Sequence, residues 1–442
     1  MRIQLSDHFT YGKLLRFTLP SVMMMIFTSV YGVVDGFFVS NFVGKTPFAA
    51  VNFIFPLLMV FGAIGSMFGA GGSALVAKTL GEGDLSKAQR LFSMFVYVTI
   101  GAGTAVAIFG IVFIRPIAAW LGAEGELLKR CVLYGRLILL ALPAQMLQFE
   151  FQSFFVTAEK PKLGLYVTLA AGLTNMVLDA LLVAVFPFGL AGAAVATALS
   201  QYVGCVVPMV YFARRNDSLL RLTKTRYDNA AMLKAAGNGS SEFLSNVAMS
   251  VVSMLYNAQL MKYAGENGVA AYGAMMYVSM VFLAIFIGYS VGTAPVIGYH
   301  YGAGNKAELK SILRKSLVIV GMTSAAMLAA SELLARPLSL LFVGYDAPLM
   351  NMTLHGFIIF SFSFLFSGVP IFGSSFFTAL NNGLVSALIS FLRTVLFQVA
   401  AVLLLPLWWG IDGIWGSLVV AEIAAAAMAV LCLFANKKKY GY

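Results

Sequence analysis

Long apolar runs decide what this chain can fold into. Stretches such as Phe92 to Ile114 and Gly413 to Phe434 match the roughly 20 residues that a helix needs to cross a hydrocarbon core of about 30 Å. Inside lipid a lone segment satisfies its own backbone only as a helix. Charged residues make up 11% of the chain and hydrophobic ones 60%, with a mean hydropathy of +0.88, a balance from which no water-soluble surface can be built. The opening MRIQLSDHFTYGKLLRFTLP leads into a full-length span with no small-residue cleavage site, so the N-terminus is expected to be retained.

Breaking the runs at charged or turn-rich stretches predicts twelve spans, near 14–41, 47–78, 90–116, 128–156, 163–187, 190–213, 235–262, 268–299, 311–335, 350–379, 385–407 and 411–435. With both termini inside, 21 of the 29 Lys and Arg fall in cytoplasmic segments: Arg2, Lys13, Arg16, Lys78, Lys87, Arg90, Lys160, Lys162, six from Arg214 to Lys234, Lys306, Lys310, Arg314, Lys315 and Lys437 to Lys439. The positive-inside rule then predicts a multi-pass protein of the inner (cytoplasmic) membrane with cytoplasmic termini. A net charge of +11 spread along one membrane face is explained by anionic lipid rather than nucleic acid.

The two halves repeat at an offset of 221 residues. Gly44 falls on Gly265, Ala49-Ala50 on Ala270-Ala271, Val60-Phe61 on Val281-Phe282, and Gly81 and Gly83 on Gly302 and Gly304. Arg115-Pro116 then falls on Arg336-Pro337, Gly135 on Gly356, Thr157-Ala158 on Thr378-Ala379, and Gly189 and Gly192 on Gly410 and Gly413. Six spans per copy is an even number, so the copies share one orientation and are related by an axis along the membrane normal. The expected fold is an all-α integral membrane protein of two pseudo-symmetric six-helix bundles: a lobe over 1–213, a basic cytoplasmic linker over 214–234, expected to be a solvated tether at the lipid surface, and a second lobe over 235–442.

An ionisable group at membrane depth costs at least about 2.5 kcal/mol for Asp near a span centre, so each needs a partner, a cavity or a function. Asp35 and Asp179 both lie roughly 9–12 Å below the outer surface by residue count. Asn175 is one helical turn from Asp179, while Tyr134 and Thr197 enter from the outer ends of their spans. Two carboxylates with hydroxyl and amide oxygens suit Na⁺, and the same acids out of water suit a proton. The alternative is that Asp35 and Asp179 only hydrogen-bond neighbouring helices. In the second half, Tyr256 and Ala400 stand where the acids would be, so the pair belongs to the first half alone.

Other polar residues at depth divide by place. Glu242 and Arg393 lie at similar depths from the cytoplasmic side, and either form an ion pair that locks the second bundle or reach the surface independently. His355, near the outer surface, is a candidate proton relay or an interfacial hydrogen-bonded histidine. Gln145, Gln148 and Gln152 form one helical stripe expected to line a cavity or face a neighbouring helix. Glu150 points away from that stripe and is expected at the interface. Met23 to Met25 and the 37 phenylalanines suit a plastic aromatic cavity, although most must be core or lipid-facing. Cys131, Cys205 and Cys432 share no metal or disulfide spacing, and no phosphate-binding loop, HExxH pair or nucleophile elbow occurs. The chain is therefore read as a transporter without cofactors, not an enzyme.

Four segments together resemble the multidrug and toxic compound extrusion (MATE) transporters: LPSVMMMIFTSVYGVVDGFFVSNFVG, GAGGSALVAKTLGEGDLSKAQ, NMVLDALLVAVFPFGLAGAAVATALSQ and VGTAPVIGYHYGAGN. The resemblance implies two six-helix lobes around a V-shaped cavity and drug export in exchange for H⁺ or Na⁺. It places the cation site at Asp35, Asn175, Asp179 and Thr197, with Tyr134 nearby, and associates Pro20 with bending of the first helix. Branches of the family that carry acids in the middle of spans 7 and 8 differ from this chain. The expected partners are drug-like, mainly cationic and amphipathic molecules and membrane lipid, with the chain acting as a monomer. A flippase for lipid-linked or polysaccharide precursors is the competing reading, and it requires a cationic cavity, for which only Arg393 and Arg136 are candidates at depth. A channel is disfavoured because no repeated selectivity filter occurs.

Overall fold

The computed structural model of the protein describes residues 3–43, 45–344 and 346–442. Arg2 and Gly44, counted above in the charge pattern and the repeat, lie outside them. Among the described residues every regular element is a helix: α1 (Tyr11–Phe38), α2 (Lys45–Gly81), α3 (Leu85–Trp120), α4 (Gly125–Leu140), α5 (Leu142–Thr157), α6 (Pro161–Asp179), α7 (Gly189–Ala213), α8 (Asn229–Gly302), α9 (Lys306–Val343), α10 (Ala347–Ser361), α11 (Ser363–Ala379), α12 (Gly383–Phe391), α13 (Gln398–Leu404) and α14 (Pro406–Tyr440). Short π-helical turns follow α1 (Val39–Val43) and α6 (Ala180–Val185), and another joins α12 to α13 (Leu392–Phe397).

Nine of the described helices are long and apolar enough to cross a membrane, and the bent pair α10 and α11, at 46°, makes a tenth crossing. Twelve follow once two further features are counted. In α8 the backbone breaks at Gly265, with φ 63° and ψ −153°, a conformation that glycine adopts without a Cβ penalty, so this element is two crossings. The helices α4 and α5, 16 residues each and separated only at Ala141, together form the expected fourth span.

The repeat is visible in how the helices end. Gly83, at φ 86°, closes α2, and Asp84 caps α3 by accepting a bond from the Lys87 N–H at 2.8 Å. Their counterparts, Gly304 at φ 68° and Asn305, close α8 and cap α9 through the Glu308 N–H at 3.1 Å. A side-chain oxygen at the N-cap satisfies a donor that the helix leaves open.

The lobes meet at the face that carries both termini, and they do so symmetrically. A Cβ on Gly81 would come within 2.0 Å of the Tyr299 carbonyl oxygen, and one on Gly302 within 2.0 Å of that of Lys78; positions 78 and 299, like 81 and 302, are repeat partners. Gly71 lies against Ala235 and Gly239 in the same way, and its counterpart Gly292 against Thr18, the counterpart of Gly239. Small residues let the helix backbones touch. The N-terminal segment ties the same face together. The Leu5 N–H donates to Glu159 of the first lobe at 2.8 Å, and Glu308 of the second lobe accepts from the Phe9 N–H at 2.9 Å and pairs with the His8 ring at 2.6 Å.

Inside the first lobe, Phe92 meets Phe154 and Phe212 with centroids 4.8 and 5.0 Å apart, so these large rings fill the bundle rather than line an open cavity. Cys131 and Cys205 are buried and free. The linker differs from expectation in two respects. Helix α8 already begins at Asn229, and the preceding segment, although exposed over more than half of its residues, is anchored to α3. The Thr223 N–H donates to Ser93 Oγ at 2.8 Å, Gln89 donates to the Leu219 carbonyl at 3.0 Å, and Leu220 is fully buried.

Candidate functional site

Helices α1 and α6 run side by side and carry Asp35 and Asp179 at the ends remote from the terminal face. Each acid sits just before a π-helical turn, Val39–Val43 or Ala180–Val185, a device that re-aims neighbouring side chains and recurs at functional sites. Asp179 is 0% exposed, and neither of its oxygens has a hydrogen-bond donor. What faces it is the carboxyl of Asp35. Thr197 of α7 donates to Asp35 Oδ1 across a long 3.5 Å, and Asn175 Nδ2 donates to Thr197 Oγ1 at 3.5 Å. The Thr197 hydroxyl also reaches the Ala193 carbonyl at 3.0 Å. Tyr134 of α4 is buried, close enough to feel both acids electrostatically. The structure thus brings together all five residues expected there: Asp35, Asp179, Asn175, Thr197 and Tyr134.

Two carboxyl groups in contact share one proton or enclose one cation, because two bare negative charges at that distance repel. The surrounding oxygens of Asn175, Thr197 and Tyr134 are hard ligands of the kind Na⁺ takes. Among the described residues no cluster of three His, Cys, Asp or Glu side chains offers a transition-metal site.

One neighbour that sequence reasoning missed is Tyr31, one helical turn before Asp35. Its hydroxyl lies within bonding reach of Gln148, and its ring fills the space beside Gly172 of α6, where a Cβ would come within 2.9 Å. The i, i+4 spacing of Tyr31 and Asp35 was the available signal. The stripe of Gln145, Gln148 and Gln152 is buried in the bundle. Gln145 lies against Gly62 of α2 and Gln148 against Gly204 of α7, so these two face neighbouring helices, one of the two placements expected. Pro20 stands inside a continuous α1; lacking an N–H, it leaves the Arg16 carbonyl without its helical donor.

In the second lobe the position equivalent to Asp35 is filled by Tyr256, which stacks on Tyr272 at 5.2 Å and shares a 2.8 Å hydrogen bond with Ser417. Of the two readings left open for Glu242 and Arg393, the ion pair between them is not what the structure holds. Arg393 pairs with Glu422 of α14, its Nε at 3.0 Å from both carboxylate oxygens and its Nη2 at 2.8 Å from one. A planar guanidinium prefers the carboxylate it can grip with two nitrogens, and Glu242 is left only within its electrostatic reach. His355 bonds to Asp412 at 2.8 Å with both side chains half exposed, the interfacial alternative. Glu150, expected at the interface, is instead fully buried.

A profile of the MatE family matches residues 20–181 and again 243–403, two matches that begin close to the 221-residue offset of the repeat. The multidrug export protein MepA of Staphylococcus aureus (strain MRSA252) is 24% identical over 425 residues, covering 96% of this chain and 93% of that protein. Among solved structures, the outward-facing conformation of a multidrug resistance MATE family transporter superposes with a TM-score of 0.93 at 22% identity, covering 98% of this chain and 97% of that one. A MATE structure in complex with MaL6 gives 0.93 at 21% identity, covering 98% of each chain.

Proposed function

Because the chain belongs to the MatE family, we propose that it exports small organic molecules, mainly cationic and amphipathic, across the cell membrane in exchange for H⁺ or Na⁺ taken up at Asp35 and Asp179. The observation that carries this reading is Asp179, wholly buried and facing no donor, only a second acid. That arrangement is stable when a cation sits between the carboxyls and strained when none does.

The terminal face is the cytosolic one in this reading, and the tight contacts there hold the lobes apart only at the outside. A cation entering from outside neutralises the acids, and α1 repacks against α6 around Pro20 and Tyr31. Substrate leaves as the cation binds, and the lobes then rock to open the cytosolic face, where the cation departs. Coupling requires only that the two states bind each ligand with different affinity. Buried acids and aromatic rings favour organic cations.

The flippase reading loses its requirement of a cationic cavity. Arg393 is neutralised by Glu422, and Arg136 lies on the exposed face of α4. In proteoliposomes, Asp35→Asn and Asp179→Asn should each reduce gradient-driven export of a fluorescent organic cation to the level of empty vesicles, with an unchanged gel-filtration profile. Undiminished export by both variants would sink the assignment.

A further inference from the structure

The first lobe holds a third acid within its membrane-spanning helices, and the exchange described above does not use it. Glu150 lies on α5 seven residues before its end at Thr157, about 10 Å inside the terminal face, whereas the aspartates lie toward the other face. It is 0% exposed, and neither carboxyl oxygen has a hydrogen-bond donor.

Its surroundings offer no charge to pair with. From α3, the Thr99 hydroxyl lies near the carboxyl but outside hydrogen-bond geometry, and it has no other partner. From α7 the nearby titratable group is the Cys205 thiol. On the α2 side, Gly69 lies so close that an added Cβ would be 3.2 Å from the Glu150 Cα. No Lys, Arg or His acts on it among the described residues. A bare carboxylate is not stable in such a setting, and it is relieved by a proton or a counter-charge. Sodium needs several oxygens around it, and among the described residues the one side-chain oxygen found to act on the carboxyl is that of Thr99. The proton is therefore the ligand that fits.

We propose that Glu150 is a second proton-binding group of the first lobe, loaded while the cytosolic face is sealed and unloaded when the lobes part there. The step is a simple association. Cytosolic hydronium gives its proton to the carboxylate as the face closes, and the acid returns it to water as the face opens. Cytosolic acidity then favours the sealed state, independently of the aspartate pair. This consequence rests on the exporter reading, whereas occupancy of Glu150 by a proton does not.

Infrared titration of the purified protein in nanodiscs tests occupancy directly. The carbonyl band of a protonated carboxylic acid should lose a component in Glu150→Gln and keep that component in Asp35→Asn/Asp179→Asn. An identical band in the wild type and Glu150→Gln overturns the proposal. If Glu150→Gln does not fold, Glu150→Asp should move the component in frequency or in titration midpoint, and an unmoved band again overturns it. Normal transport by the aspartate variants would remove the exporter reading while leaving the Glu150 band to be judged by itself. Inter-lobe spin-label distances at the cytosolic face give the second readout. Opening should rise with pH in the wild type and lose one of its two pH transitions in Glu150→Gln.

Discussion

Adding one methyl group to each of two glycines should push the lobes apart at the face where they are closed. Gly81 and Gly302 are repeat partners, and a Cβ on either would sit 2.0 Å from a carbonyl oxygen of the opposite lobe, against 3.4 Å or more for ordinary contact. The obstacles are the backbone at Tyr299 and Lys78, which cannot swing aside as a side chain does. Overpacking of this kind costs about 1–3 kcal/mol per site. Because the strain exists only while the face is closed, it appears as a shift of the lobe equilibrium of about 5- to 150-fold toward opening there. Ser86 and Ala307, exposed repeat partners just beyond these glycines, are suitable for spin labels once the native cysteines are replaced. Electron–electron resonance should show the population with a long Ser86–Ala307 distance rising in Gly81→Ala, rising similarly in Gly302→Ala, and dominating in the double variant. Distance distributions that match the wild type in all three would refute the symmetric backbone contact. A rise in one single variant alone would refute the symmetry.

Breaking the buried ion pair of the second lobe should be costly, because Arg393 and Glu422 are 16% and 2% exposed. Glu422→Ala is expected to lower unfolding stability in mixed micelles by about 3–5 kcal/mol, and the double change Arg393→Met/Glu422→Leu by much less. A loss of similar size in Glu242→Gln would restore the pairing that the structure replaces. At the surface, hydrogen bonding from Lys160 holds the Asp217 carboxyl below its usual range. A depressed carboxyl adds stability above its ordinary value and loses it as pH falls through the lowered folded value. Asp217→Asn should therefore lower the melting midpoint slightly at neutral pH and leave it unchanged in strong acid. A difference that grows on acidification would reverse the assigned sign.

The membrane class, the twelve crossings and the repeat were legible because each leaves a periodic mark: apolar length, basic loops, and glycines at a constant offset. The grouping of Asp35 and Asp179 was legible for a related reason. An aspartate at membrane depth has few innocent explanations, and depth counted along a helix is accurate enough to bring Asp35 and Asp179 to one level. Pairings on the second lobe were less so. Depth counting matched Arg393 with Glu242 alone and gave no sign of Glu422, whose approach depends on the rotation of α14 about its axis. Glu150 was misplaced because its distance from the surface suggested an interface, whereas packing of α2, α3 and α7 over it decides its burial. The docking of the linker depends on single hydrogen bonds such as Thr223 to Ser93, which leave no pattern in composition.

The central claim is that a cation held by Asp35 and Asp179 exchanges for substrate, and the most direct test follows both fluxes in one vesicle. Proteoliposomes would carry an internal pH dye and radioactive sodium outside, with a fluorescent organic cation as substrate and the orientation of the protein fixed by protease accessibility. Substrate movement should be accompanied by a counter-flux of H⁺ or of Na⁺, and that flux should vanish together with substrate movement in Asp179→Asn. Substrate movement that proceeds with neither ion moving, or a counter-flux that persists undiminished in Asp179→Asn, would contradict the account.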